Sequence, residues 1–196
     1  MLALDSSKVP QSLYPLFWLV GEFEGTGTLG GQFGIAESLF QQRVNWQVAG
    51  DSLEMKSSLS TYHIDQDTAE IVIDEADFIV QEGHWNVAKE RPDTLTDESL
   101  FPLQVTVATS MRGIPLFETE FVGVVGNGKI ELLSDKIRID APEVELANNL
   151  WREKYMFGYV NDRVLWVWDV AQVGDQDGLK SIASGGVGII EEKVKE

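Results

Sequence analysis

The chain has 196 residues, is 43% hydrophobic, and carries 32 acidic against 15 basic residues, for a formal net charge of -17. This length suits a single domain, and this apolar content supports a sizeable core and excludes disorder of the chain as a whole. Because so negative a field repels phosphate backbones and anionic lipid, the composition excludes nucleic acid and membrane surfaces as expected partners.

Cysteine is absent from the chain. Disulfides, thiolate chemistry and zinc sites of the cysteine type are therefore excluded, and a reducing compartment is compatible with the sequence. The N-terminus lacks the basic and then apolar pattern of a signal peptide, and no apolar run of about 18 residues occurs. We expect a cytoplasmic protein with one domain over residues 1–196 and a flexible N-terminus over 1–11. The sequence leaves open whether the protein is a monomer or a dimer.

The first predicted element is a short helix over 12–19, with Ser12 as its candidate N-cap, placed at one end of the fold. Strands follow from Glu22 onward. They are predicted from β-branched and aromatic residues that alternate with polar ones, over 34–48, 53–62, 70–74, 78–80, 103–109, 117–125, 129–139, 155–160, 164–171 and 182–190.

Turn signals separate these strands. Asn127-Gly128 is the strongest hairpin signal, because both residue types tolerate the positive φ of a tight turn, and Asn161-Asp162 predicts a second hairpin. The segment 89–102 is rich in proline and acidic residues and is predicted to be an exposed loop. About ten short strands joined mostly by tight turns predict an all-β protein, a closed antiparallel up-and-down β-barrel with a short N-terminal helix.

The most informative stretch is 17–27, which reads F-W-L-V-G-E-F-E-G-T-G. Gly21, Gly25 and Gly27 fall at the start of the first strand, and glycines there fit a sheet that must curl and close on itself. The stretch resembles the opening of the nitrobindin family, which reads roughly W-L-x-G-x-W-x-G-x-G. Phe23 stands where the family has its second tryptophan.

Two later segments extend the resemblance. The run 81–85, Q-E-G-H-W, is similar to the family's E-x-G-Y-W/F, and 162–171, D-R-V-L-W-V-W-D-V-A, is similar to its G-D-x-L-x-Y-x-M-x-M-A. The matches are spread over most of residues 16–190. The resemblance implies a calycin-like haem-binding barrel, related in shape to fatty-acid-binding proteins and lipocalins, whose ferric haem binds nitric oxide and isomerises peroxynitrite.

The residue that ligates haem iron in nitrobindins is a histidine shortly after this last motif. At its place the chain has Lys180, or Ser181 if one gap is allowed. A lysine amine is protonated at neutral pH, and a serine hydroxyl is a weak donor to iron. The resemblance therefore implies a family member without the haem-ligating histidine, and we expect no haem bound through the usual bond and no other cofactor.

Substitute iron ligands are few. The chain has two histidines, His63 beside an acidic turn and His84 within a strand, of which the second could face the barrel interior or lie on its wall. Two histidines without a third ligand at fixed spacing predict no metal site. Tyr155 and Met156 are of types that ligate haem iron, but on one strand they also fit a core residue followed by a surface residue.

Large aromatic residues are the other candidates for a binding site. Trp166 and Trp168 share one strand face, and with Trp18 and Phe23 they are the predicted ligand-binding residues, which either line a cavity or fill the barrel. A carboxylate facing inward and paired with arginine would indicate a head-group site, but the sequence does not say which face is inside. The candidate carboxylates are Glu37, Glu54, Glu118, Glu120 and Asp169.

No catalytic residue is predicted, since neither a nucleophile elbow nor a phosphate-binding loop occurs in the sequence. The favoured function is therefore non-enzymatic binding of a small hydrophobic molecule in the lumen. One alternative is a haem protein that handles nitric oxide or peroxynitrite with a substitute ligand. The other is a filled barrel with a structural or protein-interaction role.

Overall fold

The computed structural model describes residues 9–32, 35–112, 114–135, 137–138, 150–173 and 178–190. A 3-10 helix, Gln11–Leu19, precedes the strands. The strands are β1 Gly21–Leu29, β2 Ser38–Ala49, β3 Ser52–Ile64, β4 Ile71–Val87, β5 Phe101–Met111, β6 Ile114–Gly126, β7 Lys129–Ser134, β8 Ile137–Arg138, β9 Leu150–Val160, β10 Arg163–Gln172 and β11 Lys180–Ile189.

These strands form one antiparallel sheet that closes into a barrel. Neighbours in sequence pair from β1 to β7, β9 follows β7, and β10 and β11 lead back to β1. The two-residue β8 follows β7 along the same side of β9 and adds no member to the ring. The predicted closed up-and-down barrel is confirmed, with ten strands in the ring.

Both predicted hairpins occur where the turn chemistry placed them. Asn127 and Gly128 adopt φ of 52° and 69° between β6 and β7, and Asn161 and Asp162 adopt 52° and 61° between β9 and β10. Two consecutive residues with positive φ give a turn whose twist matches that of antiparallel strands. Asparagine, aspartate and glycine accept this backbone at low cost.

The segments 70–74 and 78–80, predicted as separate strands, lie mostly within the single strand β4. The pairing with β3 changes register between Leu59↔Ile79 and Thr61↔Glu75, so β4 carries extra residues there. Asp77 takes φ of 50° in this bulge, and its N–H donates to the Ser60 hydroxyl at 3.0 Å. A bulge leaves the strand continuous while it bends.

Beyond this bulge β3 and β4 continue as a ribbon, in which β3 also pairs with β2 as far as Tyr62. The pairing of β4 with β5 begins at Ile79, opposite Met111, so within the described chain residues 71–77 pair with β3 alone. Ile64, Ile71 and Ile73 are 52%, 59% and 42% exposed on this ribbon. One edge of the ribbon therefore presents unpaired backbone and isoleucine side chains.

The 3-10 helix covers the barrel end at which β4, β6 and β9 finish. Leu13, Leu16 and Leu19 are fully buried, a spacing that matches three residues per turn. The Trp18 ring lies 5.8 Å from the ring of Tyr159, near the end of β9. Ser12 is not the N-cap that the sequence suggested, because the helix begins one residue earlier, after Pro10, and has no side-chain cap.

The β4–β5 connection is irregular and mostly exposed over 88–100, whereas Phe101 and Pro102 already belong to β5. The Arg91 guanidinium donates to the carbonyls of Leu95 and Leu100, each at 2.8 Å, and this holds the connection together. In the described part of the chain, no helix has the length and apolar character needed to cross a membrane.

Candidate functional site

A small cavity lies at the centre of the lumen. Its volume is about 30 Å³, roughly the share of one molecule in liquid water and far below the ~300–1,000 Å³ of ordinary ligand pockets. Its walls are side chains at alternate positions of the strands, because every second residue of a barrel strand points inward. Most are apolar, and the polar ones are Gln42, Ser57, Gln81 and Tyr155.

One polar chain crosses the wall between β10, β2 and β3. The Trp166 indole N–H donates to Gln42 Oε1 at 2.8 Å, and Gln42 Nε2 donates to Ser57 Oγ at 2.9 Å. Gln42 is 7% exposed, so its amide depends on these partners. The chain fixes the orientation of the Trp166 ring against the cavity.

A second polar chain involves β4, β5 and β9. Gln81 Nε2 donates to the Tyr155 hydroxyl at 2.8 Å and to Thr109 Oγ1 at 3.3 Å. Burial raises the pKa of the Tyr155 phenol well above its usual value of 10, and the neighbouring Glu153 carboxylate raises this pKa further. The phenol is therefore neutral at physiological pH and able to donate its own proton.

Glu153 is the buried carboxyl of the lumen. It is 2% exposed, its backbone N–H donates to Ser134 Oγ at 2.7 Å, and the Thr119 hydroxyl lies 3.5 Å from Oε1. Burial raises the pKa of Glu153 to about 8, against smaller lowering contributions from Trp168 and Thr119. The Trp168 indole stabilises the charged form from nearby, yet its N–H does not complete a hydrogen bond to the carboxylate.

Three buried indole N–H groups have no hydrogen-bond partner among the described residues, those of Trp46, Trp85 and Trp168. Trp46 and Trp85 form part of the cavity wall. Their rings meet edge to face with centroids 6.4 Å apart, and Trp85 meets Phe157 in the same way at 5.4 Å. Two of the three uncommitted donors thus belong to residues of the cavity wall.

The four predicted ligand-binding aromatic residues occupy different places. Trp166 lines the cavity, and Trp168 is buried beside it, stacked on Tyr155 with centroids 5.6 Å apart. Phe23 packs in the core against the edge of Trp46 at 5.7 Å. Trp18 is partly buried in the 3-10 helix, and its N–H donates to the Pro15 carbonyl at 3.0 Å. A role of these four in ligand binding stays a prediction.

Lys180 and Ser181, at the place of the family's histidine, begin β11 at the barrel end opposite the helix. Lys180 pairs with Val170, which pairs on its other side with Glu153. Since directly paired residues project to one face of a sheet, this register puts Lys180 on the lumen face, where it is partly buried. Ser181 is exposed.

The other candidate iron ligands also have defined places. His63 is exposed and 2.6 Å from Asp74, and His84 is exposed on β4. Met156 lies on the outer face and is 39% exposed, while Tyr155 is a core residue. Both histidines of the chain are thus outside the lumen.

These residues do not fit a haem. The lumen has no imidazole, and a tyrosine that ligates ferric haem does so as phenolate, whereas Tyr155 is neutral and bonded to Gln81. The Met55 thioether also borders the cavity, but a methionine ligand to haem iron ordinarily acts together with a histidine. No cluster of metal-ligating residues occurs among the described residues either.

Sequence reasoning missed Glu153. The candidate carboxylates Glu37, Glu54, Glu118 and Glu120 are exposed, and Asp169 is only partly buried. The available signal was parity: Glu153 lies two residues from Trp151 and two from Tyr155, so all three share a face. Its charged neighbours Arg152 and Lys154 made this stretch resemble a solvated one.

The fold and this site define the class of protein, a closed antiparallel β-barrel with an aromatic, nearly filled lumen. The chain is 25% identical over 207 residues to the peroxynitrite isomerase of Clavibacter sepedonicus, covering 93% of this chain and 96% of the relative. It is 28% identical over 179 residues to the ferric nitrobindin-like protein of Kineococcus radiotolerans, covering 89% and 91%. No protein-family model matches the chain.

A solved structure shares the fold. The crystal structure of Rv2717c from M. tuberculosis superimposes with a TM-score of 0.58 at 16% identity, covering 93% of this chain and 99% of that one. Together with the sequence relatives, this confirms the resemblance that the glycine-rich opening and the late-strand motif predicted. The protein is a closed antiparallel β-barrel, similar in sequence to a peroxynitrite isomerase and to a ferric nitrobindin-like protein.

Proposed function

We propose that this protein binds a small, largely apolar molecule in its lumen and does so without haem iron. The observation that carries the proposal is the cavity wall, in which aromatic rings surround Gln42, Ser57, Gln81 and Tyr155 while both histidines lie outside. Apolar walls with a few placed polar groups are typical of ligand sites in barrels. All four polar residues of this wall are fixed by hydrogen bonds, which favours recognition over mere filling.

The size of the cavity restricts the ligand. At about 30 Å³ it holds a molecule of very few atoms unless a side chain moves. Met55 borders the cavity, and an unbranched thioether changes rotamer readily, so it is the natural side chain to make room. The same small volume supports the alternative of a filled barrel with a structural or protein-interaction role.

A second candidate function is haem-dependent handling of nitric oxide or peroxynitrite, which the names of the relatives support. It requires an iron ligand other than histidine from inside the barrel, and the lumen residues do not fit that need. We therefore propose no step through iron. Lys180 at the histidine position is the residue whose replacement separates the two functions.

Titration of the purified protein with ferric haem, followed by absorbance, tests the proposal. We expect no stoichiometric binding by the unmodified chain, and a shifted Soret band in Lys180→His would show that the lumen can open to admit haem when a histidine faces it. Lys129→His, at an exposed position at the start of β7, is the matched control that adds a histidine outside the lumen. Tight stoichiometric binding by the unmodified chain would overturn the non-haem assignment.

We further propose that residues 1–196 act as one domain located in the cytoplasm. The absence of cysteine, which suits a reducing compartment, supports this location. Cell fractionation with an antibody to the native protein tests it, and recovery in any other fraction would contradict it.

A further inference from the structure

We infer that the lumen ligand carries a neutral hydrogen-bond acceptor, which receives the indole N–H groups of Trp46 and Trp85. This inference rests on the proposed lumen binding and names the chemistry of the ligand. A carbonyl, nitrile or ether fits this class.

The indoles of Trp46 and Trp85 are both buried. Trp46 is 2% exposed and Trp85 is 1% exposed, and neither N–H has a partner among the described residues. A buried N–H without a partner costs about as much as a lost hydrogen bond, so buried indoles usually find one. Both indoles belong to residues that line the same cavity, so an acceptor placed there is the partner that we assign to them.

The polar side chains of the cavity wall form hydrogen bonds with one another. Gln42 Oε1 already accepts from Trp166, Ser57 Oγ accepts from Gln42, and the Tyr155 oxygen accepts from Gln81. These three acceptors thus already receive donors of the same wall. Since the Ser57 and Tyr155 hydroxyls each keep a proton to donate, the cavity has a surplus of donors. A purely apolar ligand leaves that surplus unmet.

The charges around the cavity restrict the ligand. No lysine, arginine or histidine lies in the cavity wall formed by the described residues. Glu153 lies on the same face of β9 as Tyr155, and the protein has a formal net charge of -17. An anion in this cavity would have no counter-charge in the described wall, which is costly in a buried site. The acceptor is accordingly neutral.

Gly83 lies against the indole of Trp85. The indole Nε1 is 3.1 Å from the point where a Cβ on residue 83 would lie, which is tighter than an ordinary contact. Glycine at this position therefore leaves room for the donor, which a Cβ would push aside by a few tenths of an ångström.

Two linear probes of equal length, acetonitrile and propyne, test the inference on the full chain. They differ in that acetonitrile ends in a nitrogen acceptor. With ¹⁵N-labelled protein, the six tryptophan indole signals are followed by NMR during each titration. We expect acetonitrile to shift the Trp46 and Trp85 signals and to bind roughly three- to tenfold more tightly than propyne, the effect of one net hydrogen bond. Trp18, whose N–H is bonded to Pro15, stays unchanged.

Variants locate the effect. Trp46→Phe and Trp85→Phe keep a ring and remove the N–H, so each should reduce the preference for acetonitrile. Trp151→Phe is the matched control, since this buried indole lies off the cavity wall, and it should keep the preference. If a variant fails to fold, the two titrations of the unmodified protein still decide the question.

Two results overturn the inference in different ways. Equal or tighter binding of propyne, with lumen tryptophan signals shifting, removes the acceptor and leaves lumen binding intact. If neither probe shifts any lumen tryptophan at saturating concentration, lumen binding itself fails along with the inference.

Discussion

Phe40 and Trp166 stack on each other across two glycines. Their ring centroids are 5.8 Å apart at 28°, although they come from β2 and β10 with β1 and β11 between them. Gly27 pairs with Phe40 and with Gly185, and Gly185 pairs with Trp166, so the four residues form one row. The two rings thus cover the backbone of Gly27 and Gly185. Aromatic cover of glycines keeps the interior packed where the sheet is strongly curved.

Gly27→Ala should destabilise the protein, because a Cβ at this position would lie 2.2 Å from the Ser184 carbonyl oxygen and 2.3 Å from the Phe40 ring. We expect a loss of about 1–3 kcal/mol or more in the free energy of unfolding, the usual cost of overpacking. Urea denaturation measures it. Gly158→Ala is the control, since a Cβ there meets nothing within 4 Å. Equal stability of the two variants would contradict the close approach.

Glu153→Gln should change how stability depends on pH. The folded pKa of about 8 lies above the ordinary value of 4.5, so between these values the folded state holds a proton that the unfolded state has released. The contribution of Glu153 to the free energy of unfolding is therefore fully present below about pH 4.5. It falls by up to about 1.4 kcal/mol per pH unit until about pH 8. The glutamine variant should lose that slope.

Urea denaturation at several pH values between 5 and 9 checks this expectation. Glu118→Gln, at an exposed position of β6, should keep the pH dependence of the unmodified protein. Parallel curves for the unmodified chain and Glu153→Gln would show that Glu153 does not hold its proton in the folded state.

Gln42→Leu should leave the buried Trp166 N–H without its acceptor. The expected loss is about 1–3 kcal/mol in the free energy of unfolding, the cost of an unsatisfied buried donor. Gln41→Leu, its exposed neighbour on β2, should change stability by less than about 0.5 kcal/mol. Chemical denaturation of both variants measures the difference, and a neutral Gln42→Leu would mean that the indole finds another partner.

Leu16→Ala should show that the 3-10 helix is an integral part of the barrel. Leu16 is fully buried, and truncation of a buried leucine typically costs about 2–5 kcal/mol. Tyr14→Ala, in the same helix at 52% exposure, is the matched control and should have little effect. A small effect of Leu16→Ala on the thermal midpoint would instead mean that the helix end contributes little to the core.

The barrel was predictable because its signals are local. Alternation along the strands and the Asn127-Gly128 turn each follow from neighbouring residues. The candidate site was not predictable, because closure of the whole sheet decides which face of each strand points inward. The bulge at Asp77 escaped prediction for the same reason, since its φ of 50° is imposed by pairing with β3.

The lumen illustrates the same limit at the level of single side chains. The tryptophan content predicted an aromatic interior, and Trp166 does border the cavity. That the cavity is about 30 Å³, and that Trp46 and Trp85 rather than Trp18 border it, depends on rotamers and on where the glycines lie. These are properties of packing, which no window of sequence contains.

The β3–β4 ribbon makes the protein's solubility depend on its acidic residues. Asp65, Asp67 and Glu70 are exposed at its tip, beside the isoleucines of its unpaired edge. Near neutral pH their like charges repel the same edge of another molecule, as charged residues commonly do at sheet edges. Where salt screens this repulsion, the unpaired edge becomes a template on which barrels can add edge to edge into aggregates.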